Sequence, residues 1–157
     1  MAEKKVGKIL TVEITSFSYK RPLPSRLFSQ DGGRHGGGFV FDCRCLPNPG
    51  REEQFKERTG LDLDVIQYLQ SNPEVARFKE HVFGLITPAV ENYILRDFEF
   101  LSVGFGCTGG QHRSVFFTEQ LSLHLLKCFS PRVTTKVFHS NLDSMGRPLI
   151  LQAKPVN

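Results

Sequence analysis

The first clear pattern along the chain is alternation: Leu10, Val12 and Ile14 are apolar, and Thr11, Glu13 and Thr15 between them are polar. Period two predicts a half-buried strand ending near Ser16-Phe17. Residues 18–38 follow no period. Pro22, Pro24 and the run Gly32-Gly33-Arg34-His35-Gly36-Gly37-Gly38 interrupt any regular element, so 31–38 reads as a mobile loop. Residues 39–46 are apolar enough for a buried strand, stopped by Pro47-Asn48-Pro49-Gly50. The charged stretch 51–58 has room for a helical turn. Helical spacing of Leu61, Val65, Tyr68 and Leu69 predicts a helix, which Asn72-Pro73 ends while starting another. The second helix carries Val75, Phe78, Val82, Leu85, Ile86, Ala89 and Tyr93 on one side, with a kink expected at Pro88.

Residues 98–105 read as a third strand, rich in aromatic and β-branched side chains. It runs into a glycine loop and then a helix over 112–129. Residues 133–138 read as a fourth strand, and Asp143 to Pro148 as a turn in an irregular tail, 140–157. The pattern is that of a single α/β domain over 1–157: a three-layer sandwich with a mixed or parallel sheet of about four strands.

Composition narrows the classes of function. At 157 residues the chain can bury a core without staples. Fourteen Phe and no Trp point to a core packed with phenylalanine. A net charge of +4 with pI near 9.0 suits an anionic ligand, yet 16 acidic side chains nearly balance 20 basic ones. Charge alone therefore does not announce a nucleic-acid binder. Cys43, Cys45, Cys107 and Cys128 are too few for a disulfide scaffold and lack the C-x-x-C spacing of a structural zinc site. Reduced thiols, a cytoplasmic location and no metal or cofactor are the expectation. No signal peptide and no bilayer-spanning run are evident.

The candidate chemistry lies in Gly106-Cys107-Thr108-Gly109-Gly110-Gln111-His112-Arg113-Ser114. A glycine loop between a strand and a helix makes an anion site from backbone, because the first helical N–H groups lack intrahelical partners and carry partial positive charge. Gly109 and Gly110 let those N–H groups converge. Arg113 adds a bidentate fork, Ser114 and Thr108 add hydroxyls, and Gln111 and His112 stand beside them. A plain tight turn is the bland reading, and two adjacent glycines with an arginine fit it poorly. No Gly-Lys-Ser or Gly-Lys-Thr occurs, which argues against a nucleotide-hydrolysing P-loop.

The same residues resemble the C-x-x-G-x-x-R-[ST] signature of cysteine-dependent phosphatases, which would make Cys107 a nucleophile and Arg113 its phosphate holder. Gly106 stands where those enzymes have His, and no Asp announces itself as a general acid. A buried structural cysteine is the competing reading for Cys107. In Asp42-Cys43-Arg44-Cys45-Leu46-Pro47-Asn48-Pro49, alternation puts Asp42 and Arg44 on one face of an apolar strand, as a buried ion pair or as ligand contacts. With parallel strands, residues 16–20, 44–48 and the glycine loop meet at the C-terminal edge of the sheet, where open α/β sheets hold ligands. His139 would end the fourth strand within reach of that pocket, and His35 would be a lid group. His81 and His124 read as surface or packing residues.

The segments Phe39 to Pro49, Thr59-Gly60-Leu61-Asp62 and Gly106 to Ser114 closely resemble the C-terminal domain of the RapZ-type RNase adapter family. Ile14 to Lys20 is similar to that domain's opening strand, so the likeness covers about residues 8–139. It implies a phosphosugar sensor with glucosamine 6-phosphate as ligand, in a pocket lined by Asp42, Cys107, Thr108, Gly109 and Arg113. Asn48 falls within the same motif. The resemblance also implies oligomerisation and contacts with small RNAs and an endoribonuclease. The adapters carry a Walker A domain ahead of this one, so the chain looks like a free-standing version. They carry His where this chain has Gly50, and a dense basic tail where this chain has, after His139, only Arg147 and Lys154. Phosphate-backbone affinity scales with the number of basic contacts, so an RNA-binding module is the less supported reading.

Overall fold

The computed structural model describes residues 6–27 and 37–149. Four strands, β1 (Leu10–Ser18), β2 (Gly37–Asp42), β3 (Phe100–Cys107) and β4 (Val133–His139), form one sheet in the order β2-β3-β1-β4, and every pair is parallel. Three helices accompany it: α1 (Leu63–Gln70), α2 (Pro73–Leu95) and α3 (Arg113–Phe129). The class is α/β, as the pattern predicts, and the choice between mixed and parallel falls to parallel.

Strand order explains the layers. From β2 to β3, and from β3 past β1 to β4, the chain advances in one direction across the sheet with its helices on one face. From β1 to β2 it moves in the opposite direction. Parallel crossovers are right-handed, so this return must use the other face. The residues after β1 do lie there: Leu27 packs over Gly104, and Ser102 donates to the Arg26 carbonyl at 3.3 Å. The Arg26 guanidinium sits 3.6 Å from the centre of the Phe138 ring. The third layer of the sandwich is thus a thin one, built on the 3-10 turn Ser25–Leu27.

The helix-side core is phenylalanine-rich, as composition suggests. Ring contacts run from Phe39 to Phe41, Phe105, Phe117 and Phe78 at centroid distances of 5.2–5.8 Å. Leu10, Val12, Ile14, Leu101, Val103 and Val133 fill the same face, every second position of their strands.

Several boundaries differ from the sequence expectation. β2 spans 37–42 rather than 39–46: its first two residues are glycines, and Gly38 lies so close to the Ser102 carbonyl that no Cβ would fit. It stops at Asp42, whose carboxylate takes the Arg44 N–H at 2.9 Å and turns the chain. β2 is half-buried at the sheet edge rather than fully buried. Helix α2 continues through Pro88, where proline and the residue four before it, Gly84, both face solvent, so the freed carbonyl can meet water. Its buried stripe is Val75, Val82, Phe83, Ile86 and Val90, and Leu85 is 58% exposed. Residues 49–51 and 53–55 form two 3-10 turns. The mobile-loop expectation for 31–38 falls, except for Gly37 and Gly38, outside the described residues, as do His35 and tail residues 150–157.

Candidate functional site

Parallel pairing brings the four strand ends together. Ser18 stands opposite Cys107, Asp42 opposite Gly106, and Ser16 opposite His139. The neighbours β1 and β3 send the chain away in opposite directions from this edge, the arrangement at which open α/β sheets hold ligands.

The loop between β3 and α3 is held by its carbonyls. The Cys107 carbonyl accepts from Tyr19 N–H at 3.0 Å, and the Thr108 carbonyl accepts from the Ser18 hydroxyl at 2.7 Å. On the other side the Gln111 carbonyl accepts from Gly60 N–H at 2.9 Å. In a trans peptide the N–H points opposite to the C=O. Fixing those carbonyls outward therefore turns the amides of Thr108, Gly109 and His112 the other way. Among the described residues, none of the N–H groups from Thr108 to His112 meets an acceptor, and no side chain caps the start of α3. Gly109 is exposed, with nothing within 4 Å of where a Cβ would stand. Gly110 has φ +65°, and a Cβ there would lie 2.5 Å from Asn141 Oδ1, so both the turn and the close approach require glycine.

Arg113 is 3% exposed. Its Nη1 donates to the carbonyls of Arg44 at 3.1 Å and Leu46 at 2.8 Å. Among the described residues its Nη2 has only a long contact to Thr108 Oγ1, 3.4 Å, and its buried Nε has no partner. Nε–H and one Nη2–H lie along the same edge of a guanidinium, the edge that grips a carboxylate or phosphate. Among the described residues no carboxylate pairs with this cation. Two carbonyls orient the guanidinium without neutralising it, and a buried unpaired charge is costly. Its Nε–Nη2 edge therefore has the shape and charge that can receive the oxygens of an anion.

The surrounding motifs build this arrangement. Residues 42–50 form the turn that presents the Arg44 and Leu46 carbonyls. Asp42 grips Arg44 through two oxygens, with the shortest contact 2.6 Å to Nη2, and Asn48 Oδ1 takes Gly50 N–H at 3.0 Å. The Asp42–Arg44 pair is therefore an exposed one, 44% and 49%, not a buried one, because β2 ends at Asp42. The hydrogen bond from Arg44 holds the Asp42 carboxyl below its usual range, with the Arg113 charge adding to the effect. Arg44 also lies 4.0 Å over the Tyr19 ring, whose hydroxyl is shifted up by burial and by Asp42. Gly60 packs against the first turn of α3, touching the His112 carbonyl and leaving only 2.5 Å between a Cβ and Phe116 N.

The remaining sequence candidates are placed as follows. Cys107 is buried, its Sγ 3.1 Å from the Ser114 hydroxyl. Gln111 Nε2 donates to the Lys56 and Arg58 carbonyls at 2.7 Å each, and His112 Nε2 meets the Phe55 carbonyl at 2.8 Å. Both side chains thus anchor the 55–58 segment rather than face the loop interior. Burial holds His112 below its ordinary value, opposed by the Phe55 carbonyl. His139 bridges Ser16 Oγ and Glu119 Oε1, 2.7 Å each. His124 lies against the Phe83 ring and Thr87 Oγ1.

Sequence reasoning missed Asn141, buried against Gly110, because it follows β4 in a segment with no period. With Ser18, Ser140 and Arg21 it lines a cleft of about 290 Å³ beside the loop. Among the described residues, no helix is long and apolar enough to cross a membrane, and no cluster of three or more His, Cys, Asp or Glu could hold a metal.

Comparison with known proteins agrees with the motifs. A nucleotide-binding protein of Nitrosomonas europaea is 37% identical over 124 residues, covering 79% of this chain and 40% of that protein. One from Nitrosomonas eutropha is 38% identical over 115 residues, covering 73% and 36%. A third, from Delftia acidovorans, is 35% identical over 144 residues, covering 92% and 43%. The chain thus spans about two fifths of the length of these relatives. The family described as the RapZ C-terminal domain matches residues 10–143, the four strands, three helices and the glycine loop together, and the chain belongs to that family.

Proposed function

We propose that this domain is a non-catalytic sensor of a phosphorylated small molecule, held in the loop Gly106 to Ser114. The observation that carries the reading is the Nε–Nη2 edge of buried Arg113, with Nε unpartnered and Nη2 held only by a long contact, beside a row of N–H groups without acceptors among the described residues. A phosphoryl group offers three oxygens and two negative charges, enough to meet the amides and the guanidinium together. The family suggests a phosphosugar of the glucosamine 6-phosphate kind, and the relatives' name, nucleotide-binding protein, fits an anionic ligand of the same broad chemistry. Asp42, Arg44 and Tyr19 stand where the rest of such a ligand would lie.

The test is thermal stabilisation by glucosamine 6-phosphate against glucosamine and inorganic phosphate as controls. A saturable rise with the phosphosugar, absent with glucosamine and lost in Arg113→Ala, supports the reading. No rise at millimolar phosphosugar rejects it.

One observation favours a second reading. Cys107 Sγ lies at the start of α3 within 3.1 Å of the Ser114 hydroxyl, the placement a cysteine-dependent phosphatase requires of its nucleophile. Turnover of an aryl phosphate, lost in Cys107→Ser while affinity remains, would establish that reading in place of the sensor. Contacts with RNA or a ribonuclease rest on family likeness alone and would appear as a salt-dependent shift with structured RNA.

A further inference from the structure

Two buried thiols stand on neighbouring strand ends beneath the loop. Cys43 and Cys107 are 0% and 2% exposed. The pairing of β2 with β3 sets Asp42 opposite Gly106 and continues one residue further, since Cys43 N–H donates to the Gly106 carbonyl at 2.8 Å. That is the bond a parallel ladder makes when residue 43 stands opposite residue 107. Both cysteines share the parity of Phe41 and Phe105, so both side chains enter the helix-side face. Adjacent strands lie about 4.8 Å apart. Disulfides join Cα atoms roughly 4.4–6.8 Å apart, and the strand spacing falls in that window. Burial first, and the neighbouring Cys107 next, push the Cys43 thiol well above its ordinary range.

We propose that Cys43 and Cys107 form a redox-sensitive pair that hydrogen peroxide converts to a disulfide, and that this cross-link disables the anion loop. Cys107, on the loop side, reacts first. Its sulfur attacks one peroxide oxygen, an S–O bond forms, the O–O bond breaks, and the second oxygen leaves as water with the thiol proton. Cys43 sulfur then attacks Cys107 sulfur. An S–S bond forms, the S–O bond breaks, and the hydroxyl departs as water with the Cys43 proton. Two thiols are oxidised and one peroxide is reduced to two waters.

The consequence for ligand rests on the functional reading above. Arg44 and Leu46, whose carbonyls orient Arg113, belong to the turn that Cys43 begins. Drawing the Cys107 sulfur to Cys43 also removes it from Ser114, at the first turn of α3. The bridge would thus change side-chain contacts on both sides of the cradle, at Ser114 and where the 42–50 turn begins.

The experiment uses the full chain carrying Cys45→Ser and Cys128→Ser, which removes the two exposed thiols. After peroxide treatment, intact mass should fall by two hydrogens, and peptide mapping should join residue 43 to residue 107. A reductant should reverse both, and Cys43→Ser should leave Cys107 as the sulfenic acid or its further oxides. Free thiols after peroxide sufficient to oxidise Cys45 and Cys128 in the unsubstituted chain would overturn the proposal, as would stepwise oxygen addition to Cys107 beside an intact Cys43 thiol. Phosphate titration of oxidised and re-reduced protein reads the consequence separately: tenfold or greater loss is expected in the oxidised form only. If reduced protein also ignores phosphate, the sensor reading fails while the mass data still decide the cross-link.

Discussion

Helices α2 and α3 begin in opposite ways. At α2, Asn72 accepts from the N–H groups of Glu74 and Val75, Pro73 brings no N–H at all, and Glu74 sets a negative charge in the first turn. Three devices that satisfy a helix start are present. At α3 no side chain caps, no acid stands in the first turn, and the first residue is a cation. A guanidinium at the positive end of a helix opposes the macrodipole. One start is closed by its own sequence, and the other leaves its N–H groups open. The difference shows how a chain can leave a helix N-terminus open to a ligand by what it withholds from it.

That contrast can be broken at several points, the largest effect first. Arg113→Ala should weaken phosphosugar binding by more than about 100-fold, on the order of 3 kcal/mol for a buried charge contact, read by calorimetry. Arg113→Lys keeps the charge but not the fork and should recover only part of it. Gly109→Asp should make α3 resemble α2. With open space at that position, the new carboxylate can occupy the amides, lowering phosphate affinity roughly tenfold or more while raising stability by about 0.5–1 kcal/mol in urea melts. Asn72→Ala should cost about 1 kcal/mol of stability and leave phosphate affinity unchanged.

The smallest effect is a pH dependence. His112 is held below its ordinary value of 6.5 when folded, so the unfolded chain binds more protons near that pH. Its contribution to stability is fully present above pH 6.5 and is lost as pH falls through the lower folded value. Melting temperature should decline across that window, and His112→Gln should flatten the decline by a fraction of a proton.

The site was legible in the sequence to the degree that chemistry is local. Glycines, arginine and the strand–loop–helix order are contiguous, so Gly106 to Ser114 stands out without a structure. The partners that aim it are distant: Ser18, Gly60, Asn141 and the carbonyls of Arg44 and Leu46 come from four other segments. Backbone carbonyls leave no mark in a sequence. Gln111 and His112, which look like ligand contacts by proximity, are turned outward by carbonyls of residues 55–58. Strand β1 was plain because its first residues alternate, although as an inner strand it is buried on both faces from Ile14 to Ser18 rather than half-buried. Strand β2 was displaced by several residues because glycine, which normally punctuates, here serves close packing against Ser102.

The most direct test of the central claim is a titration of the labelled protein with inorganic phosphate, followed by amide nuclear magnetic resonance. Saturable shifts should appear at the amides of Thr108 to His112 and at Arg113 Nε–H, with the amides of Glu74 and Val75 unmoved. Shifts scattered over surface lysines, or an Arg113 Nε–H indifferent to saturating phosphate, would contradict it.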